Sequence, residues 1–285
     1  MAHRHMLGRG TGREGPGGGR RGNGGRGPGV RPRVTDMAPA LPTPVCPHRL
    51  DRPVMGQRWE DVTFAHWPVP VDAVAAVLPP GLAPDVFAGT AWVSLVPFWM
   101  RDLRLRGLPP IPTTRAFAEV NVRTYVQGPE GPGVWFCSLD ATHALPVATA
   151  RVAYGLPYFR ARVTTVPAAA GPTRTEEWRV QRRHDGTTGR IAVTVDPGAA
   201  GPDPDLSADP LHVFLSARWR LYAGRRRLHA ARVAHEPWPL VAATAAAWDT
   251  GLIEAAGFRV EGAPIVAWSP GVGVTVERPR RLRRP

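Results

Sequence analysis

The sequence predicts one α+β domain, built mainly of antiparallel β-strands with a few peripheral helices. Three observations lead to this prediction. The chain has 285 residues and is 43% hydrophobic, which is enough for one large buried core. Short runs of alternating apolar and polar residues are separated by Gly- and Pro-rich turns, as in antiparallel hairpins. Segments with helical spacing are few and do not alternate regularly with strands, so a doubly wound parallel sheet is not expected.

The predicted strands are alternating or wholly apolar runs bounded by turn residues. In chain order they cover 58–67, 91–100, 117–126, 134–141, 158–166, 175–183, 190–195, 232–236 and 272–277. Glycines and prolines fill residues 127–133, which we interpret as the connection of a hairpin. Residues 197–208, rich in Pro and Asp, are predicted to be a loop.

Three segments carry helical signals. Valines at helical spacing over 71–78 follow Pro70, and the prolines that come next end this helix. Asp209 before Pro210 is a favourable start, because the Asp side chain can cap the helix and Pro fits the first helical position. A longer helix is predicted over 239–256, ahead of a glycine.

The composition divides the chain into three regions. Residues 1–45 are Gly, Arg and Pro with almost nothing to bury, and we expect them to be disordered. Residues 46–278 are predicted to form a single domain, and residues 279–285 a basic C-terminal tail. Met37 and Met55 are candidate translation starts alongside Met1.

The positive charge is concentrated at the two ends of the chain. The formal net charge is +13, but residues 37–276 hold 23 Arg against 20 acidic residues. The predicted domain is therefore almost balanced in charge. It also lacks zinc-finger spacing, a basic helix or an aromatic RNA-binding signature, so no specific nucleic-acid partner is expected.

Cysteine usage and hydropathy predict a cytoplasmic protein. Cys46 and Cys137 are the only cysteines, too few for a disulfide framework or a cysteine metal cluster. No apolar run has the length of a signal sequence or a membrane span, so no membrane association is expected. No metal-ligand or nucleotide-binding motif occurs, so neither a metal nor a cofactor is predicted. A homo-oligomer is compatible with the sequence.

The segment FAEVNVRTYV is the most informative for function. In a strand, Glu119, Asn121, Arg123 and Tyr125 share one face, and the residues between them share the other. The polar face could be the solvated exterior of an antiparallel sheet. However, Asn and a mid-strand Glu are poor strand residues. The alternative is that these four side chains point into a binding site.

Two further residues are candidates for the same site. Arg151, if buried, needs a carboxylate partner, either from the protein or from a ligand. His66 and His235 lie among aromatic residues and prolines, where a histidine is most often a packing residue. His66 is nevertheless a candidate acid or base, if the fold brings it close to Glu119.

Several phrases together resemble a known family over residues 57–278. They are WEDVTFAHWPVP, LPPGL followed by Asp85, FAGTAWVSLVPF, FAEVNVRTYV, GVWFCSLDA, AR-x-x-Y-x-LPY and HEPW. The sequence resembles the YqjF-like family, domain of unknown function 2071, of the acetoacetate decarboxylase-like superfamily. The resemblance implies an α+β fold with antiparallel β-sheets wrapped around a conical, partly apolar cavity. It also favours the cavity for the polar face of FAEVNVRTYV, since Glu119 is similar to a cavity glutamate of the decarboxylases.

The resemblance breaks down at the catalytic lysine. In the decarboxylases a cavity lysine forms a Schiff base with a β-keto acid. The similar phrase here places Tyr158 at that position, and every one of the 36 Lys and Arg residues in this sequence is Arg. Decarboxylation through a lysine Schiff base is therefore excluded.

These observations leave three hypotheses. In the first, the protein binds a small organic acid or apolar metabolite through Glu119, Asn121, Arg123, Tyr125, Arg151 and Tyr158. In the second, it is a non-covalent acid/base enzyme that uses Glu119 with Tyr158 or His66. In the third, it is a structural or interaction protein whose polar sheet face is exterior.

Overall fold

The structure is a computed structural model and describes residues 42–107, 116–143, 155–166, 174–195, 203–224 and 227–282. Leu41–Pro285 forms one compact unit. Its strands are β1 (Pro53–Val69), β2 (Ala83–Pro84), β3 (Ala91–Leu105), β4 (Ala116–Gly128), β5 (Gly131–Ala141), β6 (Tyr158–Val166), β7 (Arg174–Arg182), β8 (Thr188–Val195), β9 (Arg220–Ala223), β10 (His229–His235), β11 (Val241–Asp249), β12 (Ile265–Glu277) and β13 (Arg280–Arg281). The helices are α1 (Val71–Val77), α2 (Pro204–Ala208), α3 (Pro210–Ser216) and α4 (Gly251–Ala255).

The strands pair into one continuous sheet that closes on itself twice. One closed ring runs through β5, β6, β7, β8, β11, β12, β1, β3 and β4. A second ring uses β9 and β10 to connect β5 with β12, and it shares β12, β1, β3, β4 and β5 with the first. Most pairings are antiparallel, and β5 pairs in parallel with β6 and with β9. The shared strands therefore form a wall with an enclosed space on each side.

Each ring encloses its own apolar cluster. The cluster within the first ring includes Trp67, Val120 and Trp178, and α1 and α4 pack against it. The cluster within the second ring includes Phe64, Phe98 and Phe214, the last of these from α3. A strand of the shared wall must supply side chains to both clusters, which explains why β4 is almost entirely buried.

The predicted strands up to residue 195 are confirmed: β6 has the predicted bounds, β7 is displaced by one residue, and the others are longer in the structure. The helix starts predicted after Pro70 and at Asp209 are also confirmed. The Asp209 carboxylate accepts a hydrogen bond from the His212 backbone N–H, and Pro210 occupies the first helical turn. Within the predicted loop 197–208, Asp203 similarly caps the short helix α2.

The long helix predicted over 239–256 is wrong. This segment forms β11 and the five-residue helix α4, with Thr250 between them. Its alanines favour a helix, but the run pairs with β8 along most of its length and with β12 at its start. Tertiary pairing therefore overrides the local helical preference.

Both predicted tails also contribute to the described fold near the domain boundaries. The Thr43 carbonyl accepts a hydrogen bond from the Trp219 indole N–H at 3.0 Å. At the other end, β13 pairs with the start of β10, so part of the segment predicted as a C-terminal tail belongs to the sheet. Within the described residues, no helix has the length and apolar character required to cross a membrane.

Candidate functional site

A cavity of about 210 Å³ lies inside the second ring. Most of its lining is apolar. The apolar lining residues are Met55, Trp59, Phe98, Met100, Leu103, Leu105, Phe117, Val134, Phe136, Leu139, Leu156, Leu221, Val233, Trp238 and Val276. The lining residues with polar groups are Gln57, Glu119, Asn121, Arg123, Tyr158, Ser216, Arg218 and His235.

Strand β4 supplies the polar row of the cavity wall. Glu119, Asn121 and Arg123 all line the cavity, while Val120 and Val122 face the cluster in the first ring. All five side chains are buried, so the interpretation of the polar face as a solvated exterior is wrong. The alternation that groups these residues is visible in the sequence. The burial of both faces follows from the two rings.

Arg123 is a buried cation without an acidic partner. Its side chain is only 4% exposed, and no carboxylate of the described residues forms an ion pair with it. One guanidinium nitrogen, Nη2, donates to the Leu215 carbonyl at 2.9 Å, and Nε has no hydrogen-bond partner. The guanidinium also lies 5.5 Å from the Phe64 ring centroid. An unpaired buried charge is costly, and the described residues supply no counter-charge to Arg123.

A second arginine lies close to Arg123 but is already paired. The Arg218 guanidinium bonds to the Asp85 carboxylate, which also accepts from the Gln127 side chain at 2.9 Å. Both guanidinium groups approach the Tyr125 ring, Arg218 at 4.7 Å and Arg123 at 5.8 Å from its centroid. The Nη2 atom of Arg218 is buried without a partner, so it retains one unused donor.

Asn121 lies between Arg123 and Glu119 along the strand and is 3% exposed. Its side chain makes no hydrogen bond within the described part of the chain, and its Oδ1 atom is enclosed and unsatisfied. Most buried polar groups in proteins are hydrogen-bonded, so this unsatisfied amide oxygen is an unusual feature of the cavity wall.

Glu119 is the acidic group of the cavity. Its carboxyl is 2% exposed and accepts a hydrogen bond from the Tyr158 hydroxyl at 3.1 Å. The pKa of Glu119 is raised to about 8. Burial is the main cause and the nearby Asp140 carboxylate acts in the same direction, while the hydrogen bond from Tyr158 opposes them. Glu119 is therefore mainly protonated at pH 7, and it does not neutralise Arg123.

Tyr125 and His66 lie outside the cavity lining, in a buried hydrogen-bond chain next to Arg123. The Tyr125 hydroxyl donates to the Leu215 carbonyl at 2.7 Å, the same oxygen that Arg123 contacts. Because the hydroxyl proton of Tyr125 is used in this bond, the Tyr125 oxygen can only accept from the Ser94 hydroxyl, which lies 2.7 Å away. His66 Nδ1–H in turn donates to Ser94 at 2.7 Å.

This position does not support His66 as the partner of Glu119. Burial lowers the pKa of His66 well below its usual range, and the nearby Arg123 lowers it further. The imidazole is thus neutral. It stacks on the Phe64 ring, and its Nδ1 atom is hydrogen-bonded to the Ser94 hydroxyl. The sequence grouped His66 with the candidate acids and bases, whereas the structure gives it a place in the packing beneath the cavity.

Arg151 lies outside the described residues. The buried carboxylate of Asp140 forms a two-point ion pair with Arg182 at 2.7 and 3.0 Å. Two cavity residues, Arg218 and Ser216, were missed by the sequence interpretation because no pattern marks the end of α3 as part of a site.

His235 also lines the cavity, held between the indoles of Trp219 and Trp238. Burial lowers its pKa to about 4, so it is neutral at pH 7. The HEPW phrase drew attention to His235 and Trp238 in the sequence. It did not indicate that either side chain lines a cavity. Within the described residues, no group of three His, Cys, Asp or Glu side chains is placed to hold a metal ion.

Solved structures with the same fold define the class of protein. An acetoacetate decarboxylase-like enzyme from Sphingomonas wittichii RW1 matches with a TM-score of 0.59 and 13% identity, over 84% of this chain and 97% of that one. The enduracididine biosynthesis enzyme MppR, complexed with pyruvate, matches with a TM-score of 0.58 and 17% identity, over 83% and 93%. Acetoacetate decarboxylase from Legionella pneumophila matches with a TM-score of 0.55 and 12% identity, over 83% and 92%. The chain has the acetoacetate decarboxylase-like fold.

Sequence comparison identifies the family within that class. The model of the family described as "uncharacterized conserved protein", domain of unknown function 2071, matches residues 56–273. The uncharacterized protein YqjF of Bacillus subtilis (strain 168) is 38% identical over 188 residues, which cover 66% of this chain and 75% of that protein. The chain belongs to this family, as its sequence phrases predicted.

Proposed function

We propose that the cavity binds a small organic acid with one negative charge and an apolar body. The observation that carries this proposal is the state of Arg123, a 4% exposed guanidinium that lines the cavity and forms no ion pair with a carboxylate of the described residues. Among the charged groups of the lining, Arg218 is balanced by Asp85, and Glu119 is mainly neutral at pH 7. The cavity therefore has one positive charge in excess, which a monoanion neutralises.

Size and lining limit the rest of the ligand. A volume of about 210 Å³ is below the range typical of sites for drug-sized ligands. Leu103, Leu105 and Met55 continue the lining as an apolar surface. Leu105 is 39% exposed and so marks the open side. A short aliphatic or aromatic acid fits these limits better than a long-chain fatty acid.

The fold relatives support a carboxylate ligand without transferring their chemistry. MppR was solved with pyruvate, itself a small carboxylate. This sequence has no lysine, so a lysine Schiff base is not available for a bound acid. The proposed role is therefore binding, with Arg123 as the anion partner and Tyr158 and Glu119 as hydrogen-bonding groups.

A second candidate function is non-covalent acid/base catalysis by Glu119. Its raised pKa, about 8, and its contact with Tyr158 favour this role, since a carboxyl protonated at neutral pH can act as a general acid. In deuterated water, the ionised fraction of Glu119 would remove a proton next to the carboxylate of a bound acid and return a deuteron to the same carbon, so the acid would gain deuterium at that position. Loss of this exchange in Glu119→Gln, with binding retained, would favour catalysis over simple binding.

The test of binding uses butyrate, hexanoate and benzoate, with hexanamide as the uncharged analogue of hexanoate. We expect at least one acid to raise the melting temperature of the protein at pH 7, and hexanamide to have no effect. By calorimetry, Arg123→Gln should weaken acid binding about tenfold to hundredfold, the range for a hydrogen bond to a charged group. Arg162→Gln, an exposed arginine on β6, is the matched control. Equal affinity of Arg123→Gln and the control would refute the proposal.

A further inference from the structure

We propose that Gln57 and His235 form a second polar subsite of the cavity, and that this subsite binds a hydroxyl group of the bound acid. The inference rests on the proposed function above and narrows its ligand from small acids to acids with a hydroxyl at the end away from the carboxylate. It is based on the register that brings the two side chains together and on the polar atoms that they present to the cavity.

Gln57 and His235 are placed on either side of the same residue of the sheet. Both pair with Val274 of β12, Gln57 from β1 and His235 from β10. Residues directly opposite each other in a sheet point to the same face. The two side chains therefore flank Val274 on the cavity face, and their backbones are about 9–10 Å apart, twice the spacing of adjacent strands. A group of the size of a hydroxyl can contact both side chains.

The hydrogen bonding of His235 fixes which of its ring nitrogens is an acceptor. Its Nδ1 atom lies 2.6 Å from the Glu236 carbonyl oxygen, which can only accept, so Nδ1 carries a hydrogen. Burial lowers the pKa of His235 to about 4, so the imidazole has no second hydrogen at pH 7. Nε2 is therefore an acceptor. It has no hydrogen bond with the described residues, and they do not enclose it completely.

Gln57 adds both kinds of hydrogen-bonding group beside this acceptor. Its side chain is 8% exposed and makes no hydrogen bond with the described residues. In contrast to Asn121 Oδ1, neither amide atom of Gln57 is completely enclosed, so both can be reached from the cavity that it lines. Because most buried polar groups are hydrogen-bonded, a reachable and unused amide in the lining favours a polar group of the ligand at this point.

The pair of side chains selects a hydroxyl over other polar groups. A hydroxyl donates to His235 Nε2 and at the same time accepts from the amide NH₂ of Gln57. A carboxylate or an ether has no donor for the imidazole, and an ammonium group has no acceptor for the amide. An ammonium group would also add positive charge to a cavity that already contains Arg123.

The strand order places this subsite away from Arg123. Arg123 lies on β4, which is separated from β1 by β3 and from β10 by β5 and β9. Within the second ring, Gln57 and His235 therefore belong to the wall across from Arg123. An acid whose carboxylate is held by Arg123 extends its chain towards this wall, so the hydroxyl is expected at the end of the chain.

Calorimetry at pH 7 tests the preference for a hydroxyl. It compares butyrate, pentanoate and hexanoate, each with its ω-hydroxy derivative, so that chain length measures the distance between the two polar groups. At one length the hydroxy acid should bind about tenfold or more tightly than its parent acid, because it forms two additional hydrogen bonds. The ω-fluoro acid of that length has no donor and should bind no more tightly than the parent, and the same is expected of the ω-amino acid.

Two variants test the assignment of the subsite. His235→Phe keeps an aromatic ring between the two indoles and removes Nε2, and Gln57→Leu replaces the amide by an apolar group of similar size. Each should remove most of the preference for the hydroxy acid and leave the parent acid within about threefold of its original affinity. The matched control is His184→Phe, since this imidazole stacks on Phe159 outside the cavity lining. It should retain the full preference.

The outcomes separate this inference from the proposed function. If the parent acids bind and no hydroxy acid binds more tightly, the inference is overturned and the proposed function stands. If neither series binds, both fail. A preference that survives both variants, or that the fluoro or amino analogue shares, also overturns the inference. The comparison of analogues uses the unaltered protein, so it remains decisive even if the variants do not fold.

Discussion

At the scale of single residues, the site is defined by ionisable side chains that lack their usual charged partners. Arg123 has no carboxylate, Glu119 has no cation, and the two lie on the same strand face two positions from Asn121. A protein optimised only for stability would pair or replace such groups, because isolated buried charges are costly. Their separation supports the proposal that a ligand completes the electrostatics of the site.

The raised pKa of Glu119 predicts a specific dependence of stability on pH. Its folded pKa is about 8 and its ordinary value 4.5, so between these values the folded protein retains a proton that the unfolded chain has lost. Stability from this group is fully present below pH 4.5 and is lost as the pH rises towards 8, by at most about 1.4 kcal/mol per pH unit. Glu119→Gln mimics the protonated form and should remove this loss.

Denaturant unfolding of both proteins at pH 5 and pH 8 checks this prediction. The free energy of unfolding of Glu119→Gln should rise relative to that of the original protein as the pH increases. A constant difference between the two proteins would mean that Glu119 is ionised in the folded state, and would remove the charge argument for a monoanion.

The hydrogen-bond chain behind Arg123 predicts a positioning role for Tyr125. Its hydroxyl shares the Leu215 carbonyl with Arg123 and connects to Ser94. Tyr125→Phe leaves Ser94 without this acceptor and should reduce the free energy of unfolding by about 1–3 kcal/mol. We also expect hexanoate affinity to fall several-fold, because the carbonyl that holds Arg123 loses its second donor.

The matched control for this variant is Tyr222→Phe. Tyr222 is equally buried, and its hydroxyl donates to the Gly131 carbonyl at 2.8 Å, away from the cavity lining. Calorimetry should show unchanged hexanoate affinity for Tyr222→Phe despite a similar loss of stability. If both variants lose affinity equally, the effect of Tyr125 is general destabilisation and not positioning.

Sequence patterns predicted part of this site. The alternation along FAEVNVRTYV identified which residues share a face, and Glu119, Asn121 and Arg123 do line one cavity. Alternation alone could not decide between cavity and solvent, because that depends on β9 and β10, which follow more than 90 residues later. Arg218 enters the site from the end of α3 for the same reason, and no local pattern predicts such long-range contacts.

At the scale of secondary structure, strands could be predicted where apolar and polar residues alternate along the sequence and turn residues bound the run. The hairpin of β4 and β5 is an example, with its Gly- and Pro-rich connection. Strand β11 is the counterexample, since its alanine-rich sequence favours a helix and only pairing with β8 and β12 makes it a strand. A strand specified mainly by its neighbours cannot be identified from its own residues.

Gly271 on β12 marks a position of the shared wall that has no room for a side chain. Gly271 has φ +120°, and a Cβ built on it would lie 1.9 Å from the Trp59 carbonyl oxygen of β1. Gly271→Ala should therefore reduce the free energy of unfolding by about 3 kcal/mol or more, through backbone strain and steric overlap. Chemical denaturation measures this change.

Gly56, on the neighbouring strand, provides the control for Gly271. A Cβ at Gly56 would be 3.6 Å from the flexible Arg104 side chain, an ordinary contact. Gly56→Ala should alter stability by less than about 1 kcal/mol. Comparable losses in the two variants would contradict the close approach of β12 to β1 that closes both rings.

At the scale of the whole molecule, two rings that share five strands create the conditions for the site. The shared wall buries β4 on both faces, so its polar row lies against the cavity in the second ring while Val120 and Val122 pack into the cluster of the first ring. The double closure could not be derived from hydrophobic patterning, since it depends on pairings between strands distant in sequence. The family resemblance predicted the cavity fold, and family membership and fold are confirmed.

The most direct test of the proposed binding role is a crystal structure of the protein soaked with hexanoate, or with the acid that most raises its melting temperature. The carboxylate should lie inside the cavity within hydrogen-bonding distance of the Arg123 guanidinium, with the hydrocarbon chain directed towards Leu103 and Leu105. An acid bound with its carboxylate away from Arg123, or a well-ordered cavity that excludes every acid, would contradict the account.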